Sequence, residues 1–429
     1  MIRTASVLLR RYSHVNWALA DQAVNSGVNF LTGIILAREL GIEEFGRFTL
    51  AWMVVLLVNT IQTAMVNSPM MSLGPKQAAD NAATYYGAVV AQQAVFSCGV
   101  FVVTLAATEL ATYVFPSWGL DGMALPLAAT TFTVSFQEFA RRYFFTRGKA
   151  HMAFTNDVIR YLLQIVIIVW MFATFQESMD ITRVLWIMAL AAALAVAGTS
   201  FAADRLQWTW AALRTTAARH WEFSRWLVGG NILSMFNEQF FVVVGSTLLG
   251  PTAVGAWRAG QNLMRISHFI MMGLANVIPV QASRHLVEGG RPGLRNYLLQ
   301  VFLSGGLAIG FIAAVLCVAP RFWLSLVYGE EYAAYSSILR WYGIIYILFY
   351  GQLVLQCGLM AAEKTSQIFK ALAISSLFSL VVSYPLTQYF ELQGMMTGIF
   401  FAQVIVVGLF WKRVADFLRG APASSEATQ

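Results

Sequence analysis

The chain has 429 residues, of which 58% are apolar and only 11% are charged, and its mean hydropathy is +0.63. Soluble globular proteins carry about 25% charged residues, so this composition excludes an ordinary water-soluble fold. The formal net charge of +7 comes from 28 Lys and Arg against 21 Asp and Glu.

Twelve apolar blocks follow one another along the chain, separated by short connections. A block of about 20 apolar residues crosses a hydrocarbon core about 30 Å thick. Continuous apolar runs indicate helices, because the strands of membrane barrels alternate with period two. The predicted spans are 15–37, 48–71, 85–108, 122–140, 155–175, 183–203, 227–248, 253–279, 297–319, 336–360, 370–390 and 394–411. The sequence therefore predicts an all-α integral membrane protein.

The positively charged residues are concentrated at the termini and in every second connection. Of the 28 Lys and Arg, 21 lie at the termini or in the even-numbered connections, four lie in odd-numbered ones, and three lie within spans. The fourth connection is counted with Arg141, Arg142, Arg147, Lys149 and, just inside the next block, Arg160. The positive-inside rule places both termini in the cytoplasm. This topology accounts for the basic character, so we expect no nucleic-acid partner.

The first span carries three polar residues on one helical face. Asp21, Asn25 and Asn29 are spaced at i, i+4 and i+8 within an otherwise apolar block. Polar side chains inside a membrane normally face a partner or a water-filled space. We expect this stripe to face the interior of the protein.

The chain contains signs of an internal repeat. Leu40-Gly41 is followed five residues later by Gly46, and Leu249-Gly250 is followed five residues later by Gly255. Each Leu-Gly pair lies in the first predicted external turn of a half that contains six spans. The predicted halves are 1–215 and 216–429, and internal repeats are typical of secondary transporters with a site between the halves. The linker 204–226 contains Trp208, Trp210, Trp221 and Trp226 among arginines. It is either an amphipathic segment on the cytoplasmic surface or a plain aromatic belt.

Part of this sequence resembles a known family. The motif residues are Asn25 and Asn29, Ala37-Arg38-Glu39-Leu40-Gly41, Glu43-Glu44-Phe45-Gly46 and, before the tenth span, Tyr328-Gly329-Glu330-Glu331-Tyr332. They resemble Wzx-type polysaccharide flippases of the MATE-like multidrug/oligosaccharidyl-lipid/polysaccharide exporter superfamily. The resemblance implies two six-helix lobes. It also implies transport of an undecaprenyl-pyrophosphate-linked oligosaccharide between leaflets of the bacterial inner membrane, for polysaccharide, O-antigen or exopolysaccharide biosynthesis.

The seventh, eighth and tenth spans carry charged residues at membrane depth. Arg258, Gln261, Asn262 and Arg265 form one polar stripe in the eighth span, Glu238 lies in the seventh, and Arg340 lies near the external end of the tenth. Measured along the helix from Gly250, Arg258 is about 12 Å deep, Glu238 about 18 Å and Arg265 about 22 Å. Glu238 is therefore at a depth where it can pair with either arginine.

These residues predict a cavity with a cationic wall. Arginine suits a pyrophosphate because its planar fork donates two hydrogen bonds at once. Arg258 and Arg265 are the main candidates for substrate contact, with Gln261, Asn262, Arg340, Asn25 and Asn29 as further cavity residues. Glu238 and Asp21 are candidates for coupling to H⁺ or Na⁺, because a buried carboxyl can take up a proton near neutral pH. The alternative is that these groups only hold the helix bundle together.

Two other functions compete with a flippase. A small-molecule exporter of the same superfamily favours an acidic, aromatic cavity, and a membrane glycan polymerase or ligase normally needs a larger external loop. No nucleotide-binding, metalloprotease or hydrolase motif is present, so we expect neither an enzyme nor a cofactor or metal. The expected partners are the lipid-linked oligosaccharide, membrane lipids and an H⁺ or Na⁺ counter-ion. We expect a functional monomer able to contact polysaccharide assembly machinery.

Overall fold

The computed structural model describes residues 13–175, 179–202, 206–207 and 209–420. Within these ranges the secondary structure is helical, without a strand. Side chains are described there except at positions 13–23, 79, 201, 226, 230, 233, 234, 236–238, 269, 273, 276, 277, 280 and 365. The predicted all-α fold is confirmed.

The helices of the first half are separated by short turns. They are α1 (Ser13–Gln62), α2 (Ser68–Leu73), α3 (Ala79–Val114), α4 (Ala124–Thr146), α5 (Ala150–Phe175) and α6 (Ile181–Thr199). Helix α1 is broken at Gly41, and a π-helical turn at Thr63–Asn67 joins it to α2. Pro69 lies just after this turn. In a regular α-helix its ring would clash with the carbonyl group four residues earlier, which favours the wider π-helical turn there.

The helices of the second half are longer and contain internal breaks. They are α7 (Trp210–Leu249), α8 (Pro251–Val318), α9 (Pro320–Tyr328), α10 (Ser336–Ala361) and α11 (Thr365–Arg419). Helix α8 is broken at Gly290 and helix α11 at Glu391, where the backbone leaves the helical region. Divided at these breaks and turns, the described part of the chain contains twelve long helical segments. Each predicted span falls mainly on one of them.

Hydropathy distinguishes the helices that face lipid from the more polar ones. Seven stretches of the described chain are long and apolar enough to cross a membrane, and 24–76 and 366–419 each contain two helical segments. The exposed faces of α3 and α8 carry large apolar side chains, among them Val102, Val103, Leu303 and Phe311. Such faces suit acyl chains. The chain is therefore a multi-pass membrane protein, and the less apolar segments are α4, most of α7, and α8 before Gly290.

The two turns identified as repeats have the same backbone conformation. Gly41 has φ 80° and ψ 172°, and Gly250 has φ 79° and ψ −179°. This region is almost confined to glycine, because a side chain there meets the neighbouring carbonyl groups. Each glycine reverses the chain between two long helices with no added loop. The shared conformation supports an internal repeat.

The chain divides into two compact units, Met1–Ile232 and Leu233–Gln429, which are called unit 1 and unit 2 below. The boundary lies within α7, because this helix continues from Trp210 to Leu249. The division into domains 1–215 and 216–429, and the cytoplasmic location of the termini, remain predictions from the sequence.

Candidate functional site

Unit 2 contains the polar stripe predicted in the eighth span. Arg258 Nη1 donates a hydrogen bond of 2.6 Å to Gln261 Oε1, one helical turn further along α8. Arg258, Gln261 and Arg265 are half-buried, and Asn262 is 3% exposed. The spacing i, i+3, i+4 and i+7 thus places all four side chains on one side of the helix. We call this group the arginine site.

Three tyrosines lie around the arginine site. Tyr328 from the end of α9 and Tyr346 from α10 are close enough to interact electrostatically with both arginines. Tyr342 interacts in the same way with Arg258. The Trp257 and Tyr342 rings are 6.5 Å apart, and those of Tyr342 and Tyr346 are 6.0 Å apart. Helix α10 packs along α8 and thereby brings its tyrosines to the stripe. The arginine site is therefore cationic on one helix and aromatic on the next.

Four buried polar side chains in and beside the arginine site form two adjacent pairs. Tyr328 is paired with the Asn262 side chain, and Tyr342 with the Trp257 indole. These contacts are loose, because Trp257 Nε1, Asn262 Oδ1, Tyr328 Oη and Tyr342 Oη make no hydrogen bond of good geometry with a described group. All four residues are at most 3% exposed. The arginine site is therefore surrounded by buried polar groups that are incompletely satisfied.

The charge of the arginine site is not neutralised within the described part of the chain. No described carboxylate lies within 4 Å of Arg258 or Arg265, and the two guanidinium groups repel each other. A charged side chain at mid-membrane costs about 2.5–3.5 kcal/mol on insertion scales. Among the described residues neither cation has a carboxylate partner, so the arginine site has positive charge available for an anion.

Unit 1 brings together the two predicted asparagines. Asn29 Nδ2 donates to Asn25 Oδ1 at 2.8 Å and lies 3.4 Å from Tyr161 Oη on α5. Tyr161 in turn has the Arg160 guanidinium over its ring, 4.8 Å from the centroid. The face carrying Asn25 and Asn29 therefore packs against α5.

A larger polar network of unit 1 was not predicted. Gln137 Nε2 donates to Asn156 Oδ1 at 2.7 Å and to Asp157 Oδ1 at 2.8 Å, while Arg160 Nη1 donates to Gln137 Oε1. Gln137, Asn156 and Asp157 are fully buried, and Arg160 is 4% exposed. These side chains tie α4 to α5, and of their buried polar atoms only Asp157 Oδ2 and Arg160 Nε make no hydrogen bond of good geometry with a described group.

Ion pairs continue this network towards the end of α4. Arg141 Nε lies 3.1 Å from Asp157 Oδ2, and Arg141 Nη1 lies 3.1 Å from Glu138 Oε1. Arg142 Nε also contacts Glu138 Oε1, at 2.8 Å. We call the set Gln137, Glu138, Arg141, Asn156, Asp157 and Arg160 the unit 1 network. Arg141 is paired with carboxylates at contact distance, and Arg160 is linked to Asp157 through Gln137, which is the geometry of a structural brace.

The unit 1 network corrects one assignment made from the sequence. Arg141 and Arg142 were counted with the fourth connection, but they lie inside α4, and only Arg147, Gly148 and Lys149 separate α4 from α5. Arg160, counted just inside the next block, lies within α5. Arg141 is 6% exposed. Asp157, Arg160 and Gln164 follow i, i+3 and i+7 spacing on α5. The same criterion that found the arginine site would have found this stripe.

The remaining predicted residues are placed less fully. Arg340 is exposed at the start of α10 and interacts electrostatically with Cys317. It is not among the described groups that interact electrostatically with Arg258 or Arg265. Asp21 lies on α1 and Glu238 on α7, but both side chains lie outside the described residues. Their predicted coupling role therefore stays a prediction. The described residues contain no cluster of acidic, histidine or cysteine side chains suited to a metal ion.

Solved structures of transporters share this fold. An inward-facing multidrug resistance MATE family transporter of the MOP superfamily has a TM-score of 0.73 at 13% identity, over 94% of this chain and 96% of its own. Lipid II flippase MurJ, in an inward closed conformation, has a TM-score of 0.71 at 12% identity, over 94% and 87%. A MOP superfamily transporter from Pyrococcus furiosus, described as having a binding pocket of reverse polarity, has a TM-score of 0.59 at 14% identity, over 93% and 94%.

Sequence families give a more specific relationship. No curated protein matches the chain. The MatE family matches residues 227–385, and the family described as polysaccharide biosynthesis protein matches residues 14–285, well over half of the chain. Together with the fold, these matches confirm the resemblance noted in the sequence. The chain belongs to the polysaccharide biosynthesis protein family and has the fold of MOP superfamily transporters.

Proposed function

We propose that this chain is a flippase for an undecaprenyl-pyrophosphate-linked oligosaccharide. It moves this lipid from the cytoplasmic to the periplasmic leaflet of the bacterial inner membrane for polysaccharide, O-antigen or exopolysaccharide biosynthesis. The observation that carries the proposal is the pair Arg258 and Arg265, half-buried on a membrane helix with no described carboxylate within 4 Å. Family membership supports the glycan part of the substrate.

The chemistry of the arginine site fits a pyrophosphate joined to a sugar. Two guanidinium groups each offer a planar fork of donors to phosphate oxygens. Beside them, the hydroxyl groups of Tyr328 and Tyr342 and the indole N–H of Trp257 are buried donors that make no hydrogen bond of good geometry with described groups, although Tyr342 and Trp257 lie next to each other. Sugar hydroxyls and glycosidic oxygens accept such bonds, and aromatic faces pack on the apolar side of sugar rings.

The competing functions fit these side chains less well. A small-cation exporter needs negative charge, yet the described carboxylates of the unit 1 network contact arginines, and the arginine site is positive. A polymerase or ligase needs room for an acceptor outside the membrane. The external connection 320–335, the longest predicted one, is folded into α9 and a 3₁₀ turn and offers no such loop.

Polysaccharide export in cells that depend on this chain tests the proposal. We expect Arg258→Gln and Arg265→Gln each to lower export about tenfold or more, because a hydrogen bond to a charged group contributes about 1.5–3 kcal/mol. The double variant should abolish export and accumulate lipid-linked oligosaccharide on the cytoplasmic side. Arg284→Gln with Arg295→Gln is the control, since both are exposed residues of the same helix α8. Parental export by the Arg258/Arg265 double variant would refute the proposal.

The driving force is tested separately. We propose that Glu238 and Asp21 couple transport to H⁺ or Na⁺, as the sequence predicts. We also propose that the two lobes work by alternating access around the cationic cavity. In proteoliposomes, flux should rise with an imposed proton or sodium gradient and lose that dependence in Glu238→Gln or Asp21→Asn. Identical flux with and without gradients would remove both residues from this role and leave the substrate assignment intact. A functional monomer and contacts with assembly machinery remain predictions.

A further inference from the structure

The first turns of α7 lie across one end of unit 1. Gln207 N donates a 3.2 Å hydrogen bond to Ala83 O, and Tyr85 Oη and His220 Nε2 are 2.9 Å apart. Ala83 and Tyr85 are neighbours in the second turn of α3, whereas Gln207 and His220 are thirteen positions apart. Gln207 and His220 therefore lie at the same level of α3, although thirteen positions separate them. This level is the predicted membrane boundary, since the third span is predicted to begin at residue 85.

One face of this segment is held by unit 1. Thr216, His220 and Ser224 are 9%, 0% and 0% exposed, and they are spaced at i, i+4 and i+8 on α7. His220 contacts the Tyr85 ring edge-on, with centroids 5.8 Å apart. The segment 210–225, called the connecting helix below, is therefore anchored to α3 through His220, with Thr216 and Ser224 buried on the same face.

A second, exposed side of the connecting helix combines indoles with guanidinium groups. Trp210 is 74% exposed and Trp221 is 55% exposed, and Arg214 and Arg225 are also exposed. At 3.6 residues per turn, positions 210, 214, 221 and 225 fall within about 60° of one another, whereas Arg219 lies on the far side of the helix. Exposed tryptophans are unusual on a surface that faces only water, whereas tryptophan beside arginine is the composition of helices that lie in a membrane interface.

We propose that the exposed face of the connecting helix binds anionic phospholipid headgroups of the adjacent leaflet. Trp210 and Trp221 insert at the headgroup level, and Arg214 and Arg225, on the same side of the helix, bind the lipid phosphates through their donor forks. Charge complementarity and depth both favour a lipid over a soluble protein. This side carries two arginines, and His220 of the same helix contacts Tyr85 of α3 at the predicted membrane boundary.

Brominated lipids measure this contact directly. The full chain carries an NBD label at Ala218→Cys, an exposed position of the connecting helix, with the exposed Cys98 replaced by Ser. Nanodiscs contain equal amounts of phosphatidylcholine and phosphatidylglycerol, with bromines near the glycerol end of one lipid or the other. We expect stronger quenching by brominated phosphatidylglycerol, with the preference falling as salt is raised.

Variants separate a lipid site from a general surface effect. Arg214→Gln with Arg225→Gln should bring the two quenching values together, because each arginine near the surface contributes about fivefold to the local preference for anionic lipid. Arg183→Gln with Arg321→Gln removes the same charge from exposed residues of the opposite predicted side and should keep the preference. Equal quenching by both lipids in the parent chain would overturn the proposal. Quenching by aqueous iodide with none by lipid would also overturn it and indicate a soluble partner.

Discussion

The two units hold their partly or fully buried arginines in opposite ways. In unit 1, Arg141 contacts both Asp157 and Glu138, and Arg160 donates to Gln137, which itself donates to Asp157. In unit 2, Arg258 donates to the neutral Gln261, and no described carboxylate lies within 4 Å of Arg258 or Arg265. A cation balanced inside the protein braces the fold, whereas a cation left unbalanced favours a ligand of opposite charge.

The largest expected effect breaks the brace of unit 1. Asp157→Asn leaves Arg141 and Arg160 with one buried carboxylate fewer, and removal of one partner from a buried ion pair costs about 3–5 kcal/mol. Chemical unfolding in detergent measures this loss. Arg258→Gln is the matched change in unit 2 and should alter the free energy of unfolding by about 1 kcal/mol or less, because it loses one hydrogen bond and relieves a repulsion. Equal losses from both variants would contradict the comparison.

The next largest effect is the pH dependence of the unfolding free energy that the buried His220 of unit 1 should cause. Burial, with a smaller contribution from Arg219, lowers the pKa of His220 to about 4. The unfolded chain takes up this proton below the ordinary pKa of about 6.5, so the folded state loses stability as pH falls from there towards 4. We expect unfolding free energy to fall by about 2 kcal/mol between pH 7 and 5 from this residue. His220→Gln should remove that part of the pH dependence; parallel profiles for parent and variant would refute it.

The repeated turns should respond alike in both units. Gly41→Ala and Gly250→Ala place a side chain at φ near 80°, which we expect to cost about 1–2 kcal/mol each in unfolding free energy. Gly99→Ala and Gly310→Ala are the matched controls, because both glycines are helical and a Cβ there meets no atom within 4 Å. The controls should be neutral or stabilising. A cost in one unit alone would mean that the turns are not equivalent.

The smallest expected effect concerns Arg340. This side chain is exposed, and it is not among the described groups that interact electrostatically with Arg258 or Arg265. Arg340→Gln should lower polysaccharide export by less than about fivefold, since exposed charges contribute about 0–1 kcal/mol. A loss as large as that of Arg258→Gln would extend the substrate site to the start of α10.

The sequence predicted elements that depend on neighbouring residues better than contacts between distant ones. The helix breaks at Gly41 and Gly250 follow from glycine and flanking apolar runs, and the stripe from Arg258 to Arg265 follows from helical period. Tyr342 and Tyr346 were missed at the arginine site because they reach it only through the packing of α10 along α8. The unit 1 network was missed although Asp157 and Arg160 share a face. Its arginines were assigned by the positive-inside rule, which does not distinguish a helix end from a connection.

The most direct test of the arginine site is its affinity for undecaprenyl pyrophosphate, measured on the purified chain in detergent. Our account predicts that Arg258→Gln with Arg265→Gln weakens this affinity by at least about tenfold per arginine, while the unfolding midpoint stays close to that of the parent. Unchanged affinity in the double variant, or loss of affinity accompanied by collapse of the fold, would contradict it.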